Sequence, residues 1–183
     1  MRKLKIAVTA IIAAAVAVGC ASVASRTAAA APTAHAETTR IVVWSVNSDG
    51  PDFRVIATGA VGDFGPAVAV HPNGTVDPEH ASELELDLAR GSFRVSIAKL
   101  ASEFRSVVGS WPYDRGTCSI HGAVTATAPI VAGSGTGAYR GIAGTFRLTV
   151  SLDEDWIMGP ACTEATGFRA QLLLIEGSGP VRL

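Results

Sequence analysis

The side chains able to carry chemistry are few in this chain of 183 residues: four histidines, three cysteines and some grouped carboxylates. His71 and His80 bracket Asp77 and Glu79, donor types that suit zinc or calcium, but the histidines are too few and too scattered for a metal site. A solvated acidic loop is expected there, and no metal or cofactor is assigned. Asp153, Glu154 and Asp155, followed by Trp156, could turn around a cation; a charge run joining strands is more simply solvated. His121 shares a strand face with Ser119 and Thr125 and is expected outside. No serine sits in a G-x-S-x-G elbow and no cysteine is paired with a histidine motif, so a hydrolase is disfavoured and no catalytic residue is assigned.

The aromatic residues are the better ligand candidates. Trp44, Phe53, Phe93, Phe146 and Phe168 fall in the apolar phase of their runs; they line a site if those runs enclose space and form plain core if they do not. Tyr139 is expected near the rim. Glu176 follows Phe168, Ala170, Leu172 and Leu174 in phase, the only carboxylate this parity sends inward from a strand end. Burial there would raise its pKa and let it move a proton, whereas fraying beyond Ile175 would expose it.

The elements that must position these residues read as strands. Leu84, Leu86 and Leu88 alternate with acidic residues, Phe93, Val95 and Ile97 with polar ones, and the four residues 89–92 between them suit a hairpin. Phe146, Leu148, Val150 and Leu152 against Thr145, Arg147, Thr149 and Ser151 give the clearest period of two. Weaker runs cover 41–46, 53–61, 67–71, 117–128 and 167–175. Pro51 and Pro66 mark breaks, Asn73-Gly74 a turn, and residues 109–116 a loop in which Trp111 and Tyr113, with Trp156 elsewhere, could contact a partner. Eight runs resolve their edges by closing, so an eight-stranded antiparallel β-barrel is expected over 40–183, with a two-sheet β-sandwich as the alternative. Eight strands leave room for side chains or one small ligand.

The N-terminus reads as an address. Residues 1–5 carry three positive charges and 6–18 are uninterrupted apolar or small residues, the pattern of a secretory signal. Ala34-His35-Ala36 offers a cleavage site that would start the mature chain at Glu37. A second cut is equally open: Ala17-Val18-Gly19-Cys20 resembles a bacterial lipobox, in which Cys20 is lipidated, 1–19 is the signal and 20–39 a tether. The chain is thus expected to be secreted or, alternatively, a cell-envelope lipoprotein touching membrane only through that anchor. Either cut leaves Cys118 and Cys162 as an even pair, expected to form a disulfide in an oxidising compartment. The first 36 residues hold four of the 15 basic side chains and none of the 16 acidic ones, leaving 11 against 16 beyond them. The remaining cations are scattered, so nucleic acid is excluded as a partner.

One stretch is more specific. Residues 130–145 carry Gly133-Ser134-Gly135, which could begin a dinucleotide fingerprint, but a strand follows where that motif needs a helix. Gly135-Thr136-Gly137-Ala138-Tyr139-Arg140-Gly141-Ile142-Ala143-Gly144 resembles instead the Gly-Thr-Gly-x-(Phe/Tyr)-x-Gly-(Ala/Ile)-x-Gly signature of the allene oxide cyclase and dirigent barrels. The resemblance is firm over this motif and loose over the strand spacing of 41–183. It implies a barrel whose loop turns on Gly135, Gly137, Gly141 and Gly144 with Tyr139 plugging one end. Understood members cyclise an unstable apolar oxygenated molecule or steer a radical coupling, largely by positioning. The matched motif carries no acid or base, so the leading expectation is a secreted barrel binding an apolar small molecule without turnover. A cyclase or isomerase acting on an apolar oxygenated substrate and a solid-cored envelope or interaction module are the alternatives.

Overall fold

The computed structural model describes residues 36–46, 53–156, 162 and 168–183; the leader, both proposed cleavage motifs up to His35, and Cys20 lie outside them. Nine strands form among the described residues: β1 (Glu37–Ser45), β2 (Phe53–Gly59), β3 (Asp63–Val70), β4 (Glu83–Leu88), β5 (Gly91–Ser96), β6 (Tyr113–Asp114), β7 (Ser119–Pro129), β8 (Ala143–Trp156) and β9 (Phe168–Arg182). All pairings are antiparallel, in the order β5-β4-β3-β2-β1-β9-β8-β7-β6. The protein is therefore mostly antiparallel β-sheet, as its period-two patterning predicts. Two expectations are corrected: the ladder is open and has nine strands, the two-residue β6 being the addition, and there is one sheet where the alternative had two.

Val95 of β5 forms a single bridge with Ile130, the residue after β7. Beyond it, residues 131–139 run along the outer edge of β5. Val131 N–H donates to Arg94 O (2.8 Å), Thr136 N–H to Ser92 O (2.8 Å) and Ala138 N–H to Arg90 O (2.9 Å). In return, Ser92 N–H donates to Thr136 Oγ1 (2.8 Å) and Arg94 N–H to Ser134 Oγ (3.0 Å). The glycine-rich loop thus occupies the place of a further strand and covers an edge that would otherwise present unpaired backbone groups. Gly137 makes this approach possible, since its φ is +54° and a Cβ there would overlap the carbonyl of Arg90.

One apolar face of the sheet is buried in a single core cluster that includes Ile41, Val43, Val55, Leu86, Phe93, Tyr139, Phe146 and Leu148. The strong alternation of β8 places Phe146, Leu148, Val150 and Leu152 on that face as expected. Other local expectations fail for identifiable reasons. Pro66 lies inside β3, on its exposed side opposite Arg54. The tail does not fray at Ile175, because β9 continues to Arg182: Gly177 and Gly179 lie so close to β8 that a Cβ on either would overlap the carbonyls of Arg147 and Thr145. Residues that read as strand breakers are the ones that let two backbones touch.

A ten-residue helix, α1 (Ala98–Val107), interrupts the strands and was not foreseen. A turn of 3-10 helix follows at Val108–Ser110, and the Trp111 indole then lies flat against Gly122 of β7. Its ring also meets Phe104 edge-on at 5.5 Å. Gly122→Ala is expected to expel Trp111 from this seat and cost about 1–3 kcal/mol, the range for overpacking a filled site. Urea unfolding followed by circular dichroism, alongside a red shift in tryptophan emission, checks it.

Candidate functional site

Leu100, Phe104 and Val108 recur at helical spacing and turn the apolar side of α1 toward the sheet, with Leu100 almost fully buried. The helix packs against β7 and β8. Where it spans the other strands it leaves a cavity of about 470 Å³, roofed by Leu100, Ala101, Phe104 and residues 78–81. The floor and walls are Phe53 of β2, Ala69 of β3, Leu84 of β4, Val150 and Leu152 of β8, and Leu173 and Ile175 of β9.

Five polar residues share the lining: Glu79, His80, Arg105, Glu154 and Gln171. Glu154 and Gln171 are cross-strand partners on β8 and β9, and Gln171 Nε2 donates to Glu154 Oε1 at 2.5 Å. At the rim, Arg105 of α1 donates to the carbonyl of Glu79 (3.2 Å), tying helix to loop. Asp77 shapes that loop: its carboxylate accepts the N–H of His80 (2.9 Å) and of Glu79 (3.1 Å) and meets His71 Nε2 at 3.0 Å. The His80 N–H above all holds the Asp77 carboxyl below its ordinary value, against the effect of partial burial. The loop is folded as well as solvated, with the His80 and Glu79 side chains largely exposed. Among the described residues no group of three or more histidine, cysteine or carboxylate side chains is placed to hold a metal ion.

A second cluster lies in the core around Tyr139. The Tyr139 hydroxyl donates to Asp63 Oδ2 at 2.6 Å, Phe64 N–H donates to Oδ1 at 2.8 Å, and Arg90 N–H to Oδ2 at 3.0 Å. Arg90 also donates to the carbonyl of Val61 and lies 5.7 Å from the Tyr139 ring centre, while Phe93 meets that ring edge-on at 5.4 Å. Tyr139 is wholly buried. It fills the interior rather than lining a rim, so this cluster is a structural stopper.

The residues expected to line a site are therefore divided. Phe53 lines the cavity. Phe93, Phe146 and Tyr139 are packed solid. Trp44 lies on the opposite face from Ile41 and Val43, because residues 41–44 are apolar on both faces and offer no alternation to read. Glu176 is corrected likewise: Ile175 is buried, Leu172 is exposed, and Glu176 pairs on the outer face with Arg40 at 3.0 Å. For Phe168 the side chain lies outside what is described. Gly135, Gly137, Gly141 and Gly144 all lie in the covering loop and its return to β8, the last three with positive φ.

What sequence reasoning missed is the helix and the carboxylate. The Leu100/Phe104/Val108 spacing and the Lys99–Glu103 pair, 3.8 Å apart at i,i+4, were the available signals for α1. The acidic run is no turn but the continuation of β8, so its members alternate: Asp153 and Asp155 face out, and Glu154 continues the inward phase of Leu152. Asp153 there meets His121 Nδ1 at 2.6 Å, with His121 exposed. Cys118 and Cys162 are joined in a disulfide, Cα to Cα 5.4 Å. Tyr113 and Trp156 pack at 6.4 Å beside it.

Comparison with protein-family models, with characterised proteins and with solved structures gave no match.

Proposed function

We propose that this protein binds an apolar small molecule in the cavity beneath α1 without transforming it. The observation that carries this reading is the cavity itself: about 470 Å³, walled mostly by aliphatic and aromatic side chains with five polar residues among them. Ligand pockets fall roughly between 300 and 1,000 Å³ and have this division of labour. Exported status is part of the proposal, supported by the charged and apolar N-terminal pattern and by the disulfide. We also infer that the sheet is rolled into a barrel of the allene oxide cyclase and dirigent type. Its support is the bridge from β5 to the residue after β7, the single core and the motif of residues 135–144.

Titration with the neutral fluorophore Nile red tests the binding reading. Saturable blue-shifted emission at one equivalent is expected, and Ala101→Trp, which drives an indole into the cavity from α1, should weaken it at least tenfold. An unchanged affinity in that variant would place the dye elsewhere and remove the case for the cavity. A cyclase or isomerase reading is favoured by one feature, the Glu154 carboxylate beside the aliphatic part of the wall, and would show as a released product of unchanged mass.

A further inference from the structure

We infer that the cavity's ligand ends in a protonated amine, and that Glu154 receives it. This rests on the binding reading above and adds the chemistry of the ligand's polar end. Glu154 is half-buried, and it faces the cavity because it prolongs the inward phase of Val150 and Leu152. Gln171 donates to Oε1 and so fixes the plane of the carboxylate, while among the described residues no basic side chain forms an ion pair with it. Among the described residues the one lysine or arginine lining the cavity is Arg105, on the helix, and it is engaged with the carbonyl of Glu79. Glu79 and His80 complete that rim.

A carboxylate set into an aliphatic wall is costly unless something matches it. Gln171 supplies one donor to this half-buried carboxylate and leaves the other oxygen open; a ligand whose end covers it gains by bringing its own hydrogen-bond donor, and a charged donor gains most because the bond is charge-assisted. A carboxylate-ended ligand would put like charges together against Glu154 and would have to be held by Arg105 alone. The aliphatic depth beyond Leu152, down to Ala69 and Leu84, takes the apolar body.

Displacement of Nile red from the full chain by decylammonium, decanol and decanoate, each below its aggregation limit at neutral pH, tests this. Decylammonium is expected to displace the dye at a concentration at least tenfold below that of decanoate, with decanol between them. In Glu154→Gln, which keeps the shape and the acceptor for Gln171, the ammonium and carboxylate should come within about twofold of each other; near-UV circular dichroism reports whether that variant is folded. Gln171→Leu, which frees the carboxylate without discharging it, should keep the order. Decanoate equal to or better than decylammonium, or an ammonium preference that survives Glu154→Gln, overturns the inference while leaving the binding reading intact. Failure of Nile red itself to bind the cavity overturns both.

Discussion

Tyr139→Ala is expected to lower the free energy of unfolding by about 3–5 kcal/mol, the range for removing a large buried aromatic ring. The ring is wholly buried and packs edge-on against Phe93, so its removal leaves a void bounded by side chains that are themselves held in the core. Tyr139→Phe separates the hydroxyl from the ring: it keeps the packing but takes from Asp63 its 2.6 Å donor, at about 1.5–3 kcal/mol for a hydrogen bond to a charged group. The pH dependence gives the pair a signature. Burial pushes the Asp63 carboxyl up, but the bonds from Tyr139, Phe64 N–H and Arg90 outweigh it and hold it below its ordinary 3.8. A carboxyl lowered in this way adds stability above that ordinary value and loses it as the pH falls through the folded one. The difference between the native chain and Tyr139→Phe should therefore shrink in acid, below about pH 4. At the alkaline end, burial first and then Asp63 push the Tyr139 hydroxyl up to about 12 from 10.0. Its contribution is complete below the ordinary value and is lost as the pH rises from there through about 12. Urea midpoints across the pH range measure both arms, and parallel curves for the two chains would remove Asp63 and Tyr139 as a linked pair.

Reducing the Cys118–Cys162 disulfide is expected to cost about 2–4 kcal/mol. The bond spans 44 residues, and closing a loop of that length removes about 4 kcal/mol of conformational entropy from the unfolded chain. The loop contains all of β7 and β8, whose pairing already joins these regions in the folded state. The effect therefore lies in the unfolded ensemble, and it leaves a mark there: freed of the link, the unfolded chain exposes more surface, so the slope of unfolding free energy against urea should steepen as the midpoint falls. Cys118→Ser with Cys162→Ser should reproduce the reduced protein. A midpoint that does not move on reduction would mean that the link does not constrain the unfolded chain.

What could be read from sequence depended on whether a strand has a wet side. β8 was legible from Phe146 to Leu152 because one face is apolar and the other polar. β1 was legible as a strand but not in phase, since Ile41, Val42, Val43 and Trp44 offer nothing to distinguish inside from outside; the same ambiguity in Leu172, Leu173, Leu174 and Ile175 reversed the expected direction of Glu176. The motif of residues 135–144 stood out on its glycines, yet its work, covering the edge of β5, involves Arg90 and Ser92, which lie more than forty residues away. The cavity was legible only at Phe53. Its roof is a helix between strands, and its polar end comes from two residues, Glu154 and Gln171, brought opposite each other by a register that no local pattern announces.

The pairing of β1 with β9 has a consequence for how the molecule is made. Glu37 is opposite Val181, so the first strand waits for the last. During synthesis β2 to β5 can zip onto β1 and β8 onto β7, but the pairing that links β1 to β8 forms only when β9 emerges between them. Long-range closure of this kind is slow, because much of the chain must be ordered before the final contacts repay it. The ladder is therefore complete only once β9 has paired on both sides. Its C-terminal strand acts as a completion signal: truncation there would leave β1 and β8 as two bare edges on every molecule, and chains so shortened would pair with one another.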